Sequence, residues 1–90
     1  MVYKIIITSE AFREIELAEC YFKAKQIEKS FLKDLSQQIT FLEKSPLARQ
    51  IRYKNIRIHL FEKFNYAFHY VVVDDDVRIL RLLSQSQDFK

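Results

Sequence analysis

The sequence predicts an α+β fold in which an N-terminal strand precedes an α-helical hairpin and a three-stranded antiparallel meander. The helical hairpin is predicted by apolar residues that recur at three- and four-residue steps between residues 11 and 42. The meander is predicted by a change to alternating apolar and polar residues after Pro46. We expect the first strand to join this small sheet and the helices to pack on one of its faces.

The 90 residues are expected to form a single domain, residues 1–90, around one modest core. Hydrophobic residues make up 49% of the chain, which is sufficient for such a core and argues against disorder. The N-terminal apolar run is too short for a signal peptide, and no stretch approaches the roughly 18–20 apolar residues that span a bilayer. We therefore expect a cytoplasmic protein without a membrane partner. Cys20 is the single cysteine, which excludes an internal disulfide bond and a cysteine-based metal cluster.

The chain contains no glycine. Phosphate-binding loops, dinucleotide-binding fingerprints and nucleophile elbows all need glycine, because their backbone approaches a ligand closely or adopts positive φ. The composition thus argues against enzymes that use a nucleotide cofactor, and we expect no cofactor. Tight turns are expected to use Asn and Asp, which tolerate the left-handed region next best.

Residues 2–8, VYKIIIT, are rich in β-branched side chains and predict the first strand. Ser9 is the predicted N-cap of the helix that follows, and Glu10 lies in the first turn, where the helix dipole favours negative charge. The apolar face of this helix comprises Ala11, Ile15, Ala18 and Phe22. Its polar face comprises Arg13, Glu14, Glu16 and Glu19. We expect this face to be solvated and to pair with basic neighbours, in preference to a catalytic carboxylate group.

A second amphipathic pattern stops at Pro46, which cannot continue a helix. Its apolar positions are Ile27, Phe31, Leu35, Ile39 and Leu42. The break between the two helices is expected near residues 23–26, where neither Gly nor Pro marks it.

Three strands are predicted after Pro46. In the segment NIRIHLF, Ile56, Ile58 and Leu60 alternate with Arg57, His59 and Phe61 on the opposite face. The segments YAFHYVVV and VRILRLL predict the other two strands, and their short connections make neighbouring strands antiparallel. The aspartate triplet at residues 74–76 lies where the last two strands must reverse. A turn is favoured there over a metal site, because three consecutive side chains cannot converge on one ion.

Basic residues are concentrated in the part of the chain that is predicted to form the sheet. Between residues 49 and 63, five basic residues accompany one acidic residue, a net charge of +4. Arg57 and His59 share a strand face. Arg78 and Arg81 add charge from the last strand, so a basic patch beside or across the sheet is predicted. Such a patch suits nucleic acid, a nucleic-acid-bound machine or an acidic protein segment, and the alternative is the solvated rim of a small basic protein.

The two histidines, His59 and His69, lie on neighbouring predicted strands and could form a proton-transfer pair. No orienting group is adjacent in the sequence, and His69 stands among apolar residues. Packing in the sheet is therefore the favoured interpretation for both. Tyr66 and Tyr70 are likewise expected to pack in the sheet and the core.

Three blocks of sequence, in this order, cover nearly the whole chain. They are YKIIITSEAFREIELAECYF, FLKDLSQQITFLEKSPL and IRYKNIRIHLFEKFNYAFHYVVVDDDVRILRLL. Together they resemble the RelE/ParE superfamily of bacterial type II toxins, and within it the ParE-like branch, often labelled plasmid-stabilisation proteins. The resemblance implies a small toxin with both helices and strands, which a cognate antitoxin neutralises by wrapping it.

The resemblance implies two alternative modes of growth inhibition. ParE-type members poison DNA gyrase, and the candidate target-binding residues are here Arg52, Arg57, Arg78 and Arg81. RelE-type members cut messenger RNA on the ribosome, for which the catalytic candidates are Arg57, His59 and Arg81. A third possibility is a catalytically degenerate module whose only partner is its antitoxin. None of these implies direct sequence-specific DNA binding by this chain alone.

Two departures from the family pattern favour binding over cleavage. Many relatives carry Arg three residues before the strand tyrosine that matches Tyr70, and this chain has Ala67 there. The segment after the last strand, often rich in His or Arg, is here SQSQDFK, Ser84–Lys90. Ser and Gln supply no cation and do not titrate near neutrality, and Phe89 lacks the hydroxyl of a terminal Tyr.

Overall fold

The computed structural model describes residues 2–85. The elements in chain order are β1 (Lys4–Ile7), α1 (Ser9–Ala24), α2 (Glu28–Lys44), a 3-10 turn (Pro46–Ala48), β2 (Ile51–Tyr53), β3 (Ile56–Leu60), β4 (Tyr66–Val73) and β5 (Asp76–Ser84). The strands form one sheet in the order β1-β5-β4-β3-β2. β1 runs parallel to β5, and the other neighbours are antiparallel. The predicted order of strand, helical hairpin and antiparallel meander is confirmed.

The meander has one strand more than the sequence predicts. β2 contains three residues and pairs with β3 through a two-residue turn at Lys54 and Asn55. Both turn residues have positive φ, 45° and 67°, which is the backbone that tight hairpin turns require. A strand of three mostly exposed residues carries too little periodic signal to be recognised in the sequence.

Positive φ also marks two other reversals of the chain. Asp74, at φ 55°, turns the chain between β4 and β5, which confirms that the aspartate triplet serves as a turn. Gln26, at φ 62°, lies in the break between the helices, within the predicted interval. Asn55 and Asp74 are the residue types expected at such positions, whereas Gln26 and Lys54 show that other polar residues take the left-handed region in this glycine-free chain.

The N-cap of α1 is Thr8, and the prediction of Ser9 is wrong by one residue. Thr8 Oγ1 accepts the backbone N–H of Ala11 at 3.2 Å. The same hydroxyl is 3.0 Å from the carbonyl oxygen of Ile79 and 3.2 Å from that of Leu80. Because Thr8 lies beside β5, its one hydroxyl can both start the helix and donate to the sheet, which local sequence cannot reveal.

Both helices pack on one face of the sheet, which we name the helix face; the other is the open face. The core residues from the helices are Ala11, Ile15, Ala18, Phe22, Phe31, Leu35 and Leu42. Those from β4 and β5 are Phe68, Tyr70, Val77, Ile79 and Leu82. Phe68 and Tyr70 are two residues apart on one strand and therefore project from the same face. Most of the predicted apolar helix positions are thus in the core.

Tyr70 provides a test of this packing. Its side chain is fully buried, and its hydroxyl donates to the carbonyl oxygen of Pro46 at 2.6 Å, which ties β4 to the 3-10 turn. Tyr70→Phe leaves this buried carbonyl without its donor and is expected to lower the free energy of unfolding by about 1–3 kcal/mol. Chemical denaturation measures the change. Tyr21→Phe, at an exposed tyrosine, is the control and should change it by less than about 0.5 kcal/mol; equal losses would contradict a role for the bond.

Candidate functional site

Two of the candidate residues, Arg57 and His59, lie on the helix face. Arg57 lies opposite the core residue Tyr70 in the register of β3 and β4. His59 lies opposite Phe68, another core residue. The two candidates therefore share a face, as strand alternation predicts, and this face is covered by the helices.

Arg78 and Arg81 lie together on the open face because β5 contains a bulge. Arg78 is opposite Val71 in the register of β4 and β5. Arg81 is opposite His69, so that Leu80 is the extra residue between the two arginines. In a regular strand, side chains three residues apart project from opposite faces. The extra residue of the bulge brings the side chains of Arg78 and Arg81 to the same face. The predicted basic patch is therefore split between the two faces of the sheet.

Arg81 is held by two carboxylates of α1. Its guanidinium donates to Glu14 through Nε and Nη2, with Nη2 at 2.7 Å, and its Nε is 2.8 Å from Glu10 Oε1. Glu14 Oε1 also accepts the backbone N–H of Leu82 at 2.9 Å. The expected pairing with a basic neighbour is confirmed for Glu14, but the expectation that Glu14 is solvated is wrong, since only 18% of its side chain is exposed. β1 ends at Ile7, and beyond this point Glu14 takes the place of a neighbouring strand along β5.

His69 is buried on the open face and contacts Tyr53. The Tyr53 hydroxyl is 2.8 Å from His69 Nδ1, and His69 is 1% exposed. Burial lowers the pKa of His69, the charge of Arg81 lowers it further, and a smaller effect of Arg52 acts in the same direction against Glu14. His69 is therefore neutral at physiological pH.

We name the group formed by Arg52, Tyr53, His69, Arg78 and Arg81 the open-face surface. Arg52 and Arg78 are its exposed cations, and Arg81 is ion-paired. Three of the four predicted target-binding residues thus belong to this surface. The fourth, Arg57, lies on the helix face and donates through Nη1 to the carbonyl oxygen of Arg49.

His59 is fixed from both ring nitrogens. Its Nδ1 accepts from Arg49 Nε at 3.0 Å, and its Nε2 is 2.6 Å from Gln38 Oε1. Since Gln38 offers an oxygen, Nε2 carries the proton. Burial and then the charge of Arg49 lower the pKa of His59 to about 4, against the opposing effects of Glu62 and Asp34. His59 is therefore a neutral acceptor whose lone pair is already occupied.

Asp34 and Gln38 extend this chain of hydrogen bonds, and the sequence interpretation did not single them out. Gln38 Nε2 donates to Asp34 Oδ1 at 2.9 Å. Asp34 Oδ2 accepts the backbone N–H groups of Lys63 and Phe64 at 3.0 and 3.2 Å, in the connection from β3 to β4. Both residues are at least 97% buried. The sequence does contain a signal for them, because these two polar residues occupy positions on the otherwise apolar face of α2.

The two positions at which the sequence departs from the RelE/ParE pattern it resembles lie at β4 and at the end of β5. Ala67 is fully buried, so a long cationic side chain has no space at this position without rearrangement. Ser84 is the last residue of β5, and the side chain of Gln85 donates to the carbonyl oxygen of Tyr66 at 2.8 Å. Phe89 and the rest of the tail lie outside the described residues.

The aspartate triplet and the other acidic groups of residues 2–85 are not arranged as a metal centre. Asp74 and Asp75 are exposed at the turn. Within residues 2–85, no three His, Cys, Asp or Glu side chains are arranged to hold a metal ion. Over the same residues, neither helix combines the length and apolar character that crossing a membrane requires.

His59 is expected to make stability depend on pH in one direction. Its pKa in the folded chain is about 4, below the ordinary value of 6.5, so the unfolded chain binds the proton more readily. The stabilisation from neutral His59 is complete above about pH 6.5 and is lost as the pH falls towards 4. NMR titration of the imidazole measures the pKa, and His59→Asn should flatten the stability profile in this window. A folded-state pKa at or above 6.5 would contradict the buried, bonded ring.

Glu14 is expected to stabilise the outer edge of β5. Glu14→Ala removes the acceptor of the Leu82 N–H and a partner of Arg81, and should lower the free energy of unfolding by about 1–3 kcal/mol. Glu16→Ala is the matched control, because it removes the same charge from an exposed position of the same helix. Denaturant unfolding compares the two variants. A loss no larger for Glu14→Ala than for Glu16→Ala would show that the edge does not depend on this carboxylate.

Comparison with known proteins identifies the fold. No model of a known protein family matches the sequence, and no curated protein sequence matches it either. A chain of the solved structure described as "Chromosomal ParDE TA system from P. aeruginosa" superposes with a TM-score of 0.79. It is 13% identical, and the match covers 92% of this chain and 96% of that chain. This chain therefore has the fold of a chain of that ParDE system, and the predicted RelE/ParE-like α+β fold is confirmed.

Proposed function

We propose that this chain is a ParE-like toxin of a type II toxin–antitoxin pair, which inhibits growth by binding an essential target and is neutralised by a cognate antitoxin. The observation that carries the proposal is the fold, which matches a chain of a ParDE system over 92% of this chain. The resemblance of the three sequence blocks supports it independently. DNA gyrase is the proposed target, and the proposed location is the cytoplasm.

Binding is favoured over RNA cleavage by the positions of the cleavage candidates. Cleavage needs cations and a proton acceptor that converge on one phosphate. Arg81 lies on the open face, whereas Arg57 and His59 lie on the helix face. His59 is 2% exposed, and its Nδ1 lone pair already accepts from Arg49. These positions support a toxin that binds its target over a RelE-like endoribonuclease.

The open-face surface is the proposed contact with the target. Both ion pairs found among the described residues involve Arg81, which leaves Arg52 and Arg78 as the exposed cations of this surface. An array of exposed positive charge raises the rate and the selectivity of association with an acidic protein surface. Arg57 is proposed to support the segment before β2 through its bond to Arg49, and not to contact the target.

Charge reversal on the open-face surface tests this proposal. Arg52→Glu combined with Arg78→Glu should raise the concentration that half-inhibits gyrase supercoiling by at least about tenfold and relieve growth arrest on expression. Lys29→Glu combined with Lys33→Glu is the matched control, because both lysines are exposed on α2 and the net charge changes equally. The control should retain inhibition.

The outcomes separate the alternative functions. Unchanged supercoiling at saturating protein would exclude gyrase as the target. Discrete cuts in ribosome-bound message, detected by primer extension and lost in Arg81→Ala, would instead support the endoribonuclease. Harmless expression in the absence of any antitoxin would leave the antitoxin-binding module. A chain that does not co-purify with a co-expressed antitoxin from the adjacent reading frame would contradict all three.

A further inference from the structure

A cavity of about 430 Å³ opens between α2 and β3 and is not used by the proposed function. Its walls come from the C-terminal half of α2, the loop that follows α2, and the end of β3 with the connection after it. The volume lies within the range of pockets that hold small molecules, about 300–1,000 Å³. Arg49 and Glu62 line this cavity with opposite charges. We name it the α2–β3 pocket.

Three hydrogen bonds along the wall of this pocket connect Arg49 to Glu62, and all of them run in one direction. Arg49 Nε donates to His59 Nδ1 at 3.0 Å, and His59 Nε2 donates to Gln38 Oε1 at 2.6 Å. Gln38 Nε2 then donates to Glu62 Oε1 at 3.4 Å. Because the series begins at a cation and ends at an anion, each bond polarises the next in the same direction.

The middle of this series is buried and fixed from the interior. His59 is 2% exposed, and Gln38 is 3% exposed. The amide of Gln38 is oriented by Asp34, whose Oδ1 accepts from Gln38 Nε2 at 2.9 Å. With its nitrogen towards the carboxylates, this amide keeps its oxygen towards the imidazole. The wall between the two charged ends is therefore made of bonded groups that have little freedom to move.

The two charged ends of the series remain exposed and available to a ligand. Within residues 2–85 no ion pair joins Arg49 to Glu62. Over the same residues, the guanidinium of Arg49 donates through Nε, which leaves its two terminal amino groups for a ligand. Its guanidinium carbon lies 4.8 Å from the centre of the Phe41 ring. An arginine that is already positioned in this way loses less conformational entropy when it binds.

These charges match a small ligand that carries both a carboxylate and an ammonium group. A carboxylate can accept two parallel N–H bonds from Arg49, and the exposed Lys44 also lines the pocket. An ammonium group suits Glu62. A ligand with negative charge only, such as phosphate or a nucleic-acid strand, would instead be repelled by Glu62. Leu60, which is 51% exposed and lines the same pocket, offers an apolar contact.

We propose that the α2–β3 pocket binds a free α-amino acid with an apolar side chain. The carboxylate of the amino acid pairs with Arg49, its ammonium group pairs with Glu62, and its side chain packs on Leu60. This small-molecule site is separate from the open-face surface, and it does not depend on the chain being a toxin.

Amide NMR titration of the full chain with L-leucine tests the proposal. Isocaproate and isoamylamine carry the same apolar group as leucine, but the first lacks the ammonium group and the second lacks the carboxylate. We expect leucine to give saturable shift changes at the amides of the pocket, with a Kd of roughly 0.1–1 mM for a ligand of this size. Each analogue should bind at least about tenfold more weakly than leucine.

Two substitutions separate the roles of the charged ends. Arg49→Gln should weaken leucine binding at least about tenfold and change isoamylamine binding less than about twofold. Glu62→Gln should weaken leucine binding to a similar degree but should not weaken isocaproate binding, because Glu62 does not attract a carboxylate. Arg13→Gln and Glu16→Gln are the controls, since they make the same charge changes at exposed positions of α1, and they should alter leucine binding less than about twofold.

The proposal is overturned if leucine gives no saturable shift changes up to about 20 mM, or if isocaproate binds as tightly as leucine. Displacement of leucine by inorganic phosphate at a lower concentration than by unlabelled leucine would identify a general anion site instead. Equal effects of the pocket variants and their α1 controls would also reject the assignment. Arg49→Gln must melt as cooperatively as the parent chain. If it does not, Glu62→Gln decides, and an unchanged leucine affinity there rejects the site.

Discussion

Both helices pack against the same face of the sheet, and the distribution of charge follows from this constraint. Among the described residues the two helices cover one face of the sheet, so Arg52 and Arg78 on the other face remain in water. Strand alternation then assigns Arg57 and His59 to the covered side. The bulge at Leu80 assigns Arg78 and Arg81 to the uncovered side. The basic residues are thereby divided between the covered and the uncovered face of the sheet.

Covering the helix face brings polar groups into the interior, where they are stable only when bonded. A series of hydrogen bonds from Asp34 through Gln38 and His59 to Arg49 meets this requirement. Its two ends are useful in different ways. Asp34 holds the connection between β3 and β4 by two backbone N–H groups, and Arg49 is presented to the solvent in a fixed orientation. The same network makes His59 unsuitable as a base and suitable as a support.

Both outer strands are shorter than the strands they pair with. Beyond the end of β1, Thr8 and Glu14 bond the outer side of β5, so side chains replace the missing strand. Before the start of β2, Arg49 lies beside β3, where its Nε donates to His59 Nδ1 and its carbonyl oxygen accepts from Arg57. At both edges, hydrogen bonds from residues outside the outer strand therefore contact the longer strand beside it.

The sequence by itself determined the order of the helices and of the longer strands, the helix faces and the turn at Asp74, because these depend on periodicity and on the backbone preferences of neighbouring residues. It also pointed to the RelE/ParE-like fold. Only the tertiary structure decided which charges meet. Glu14 reaches Leu82 across 68 positions of sequence, and a single bulge changes the face of Arg81. Such pairings depend on strand register and on unequal strand lengths, which leave no periodic trace in the residues themselves.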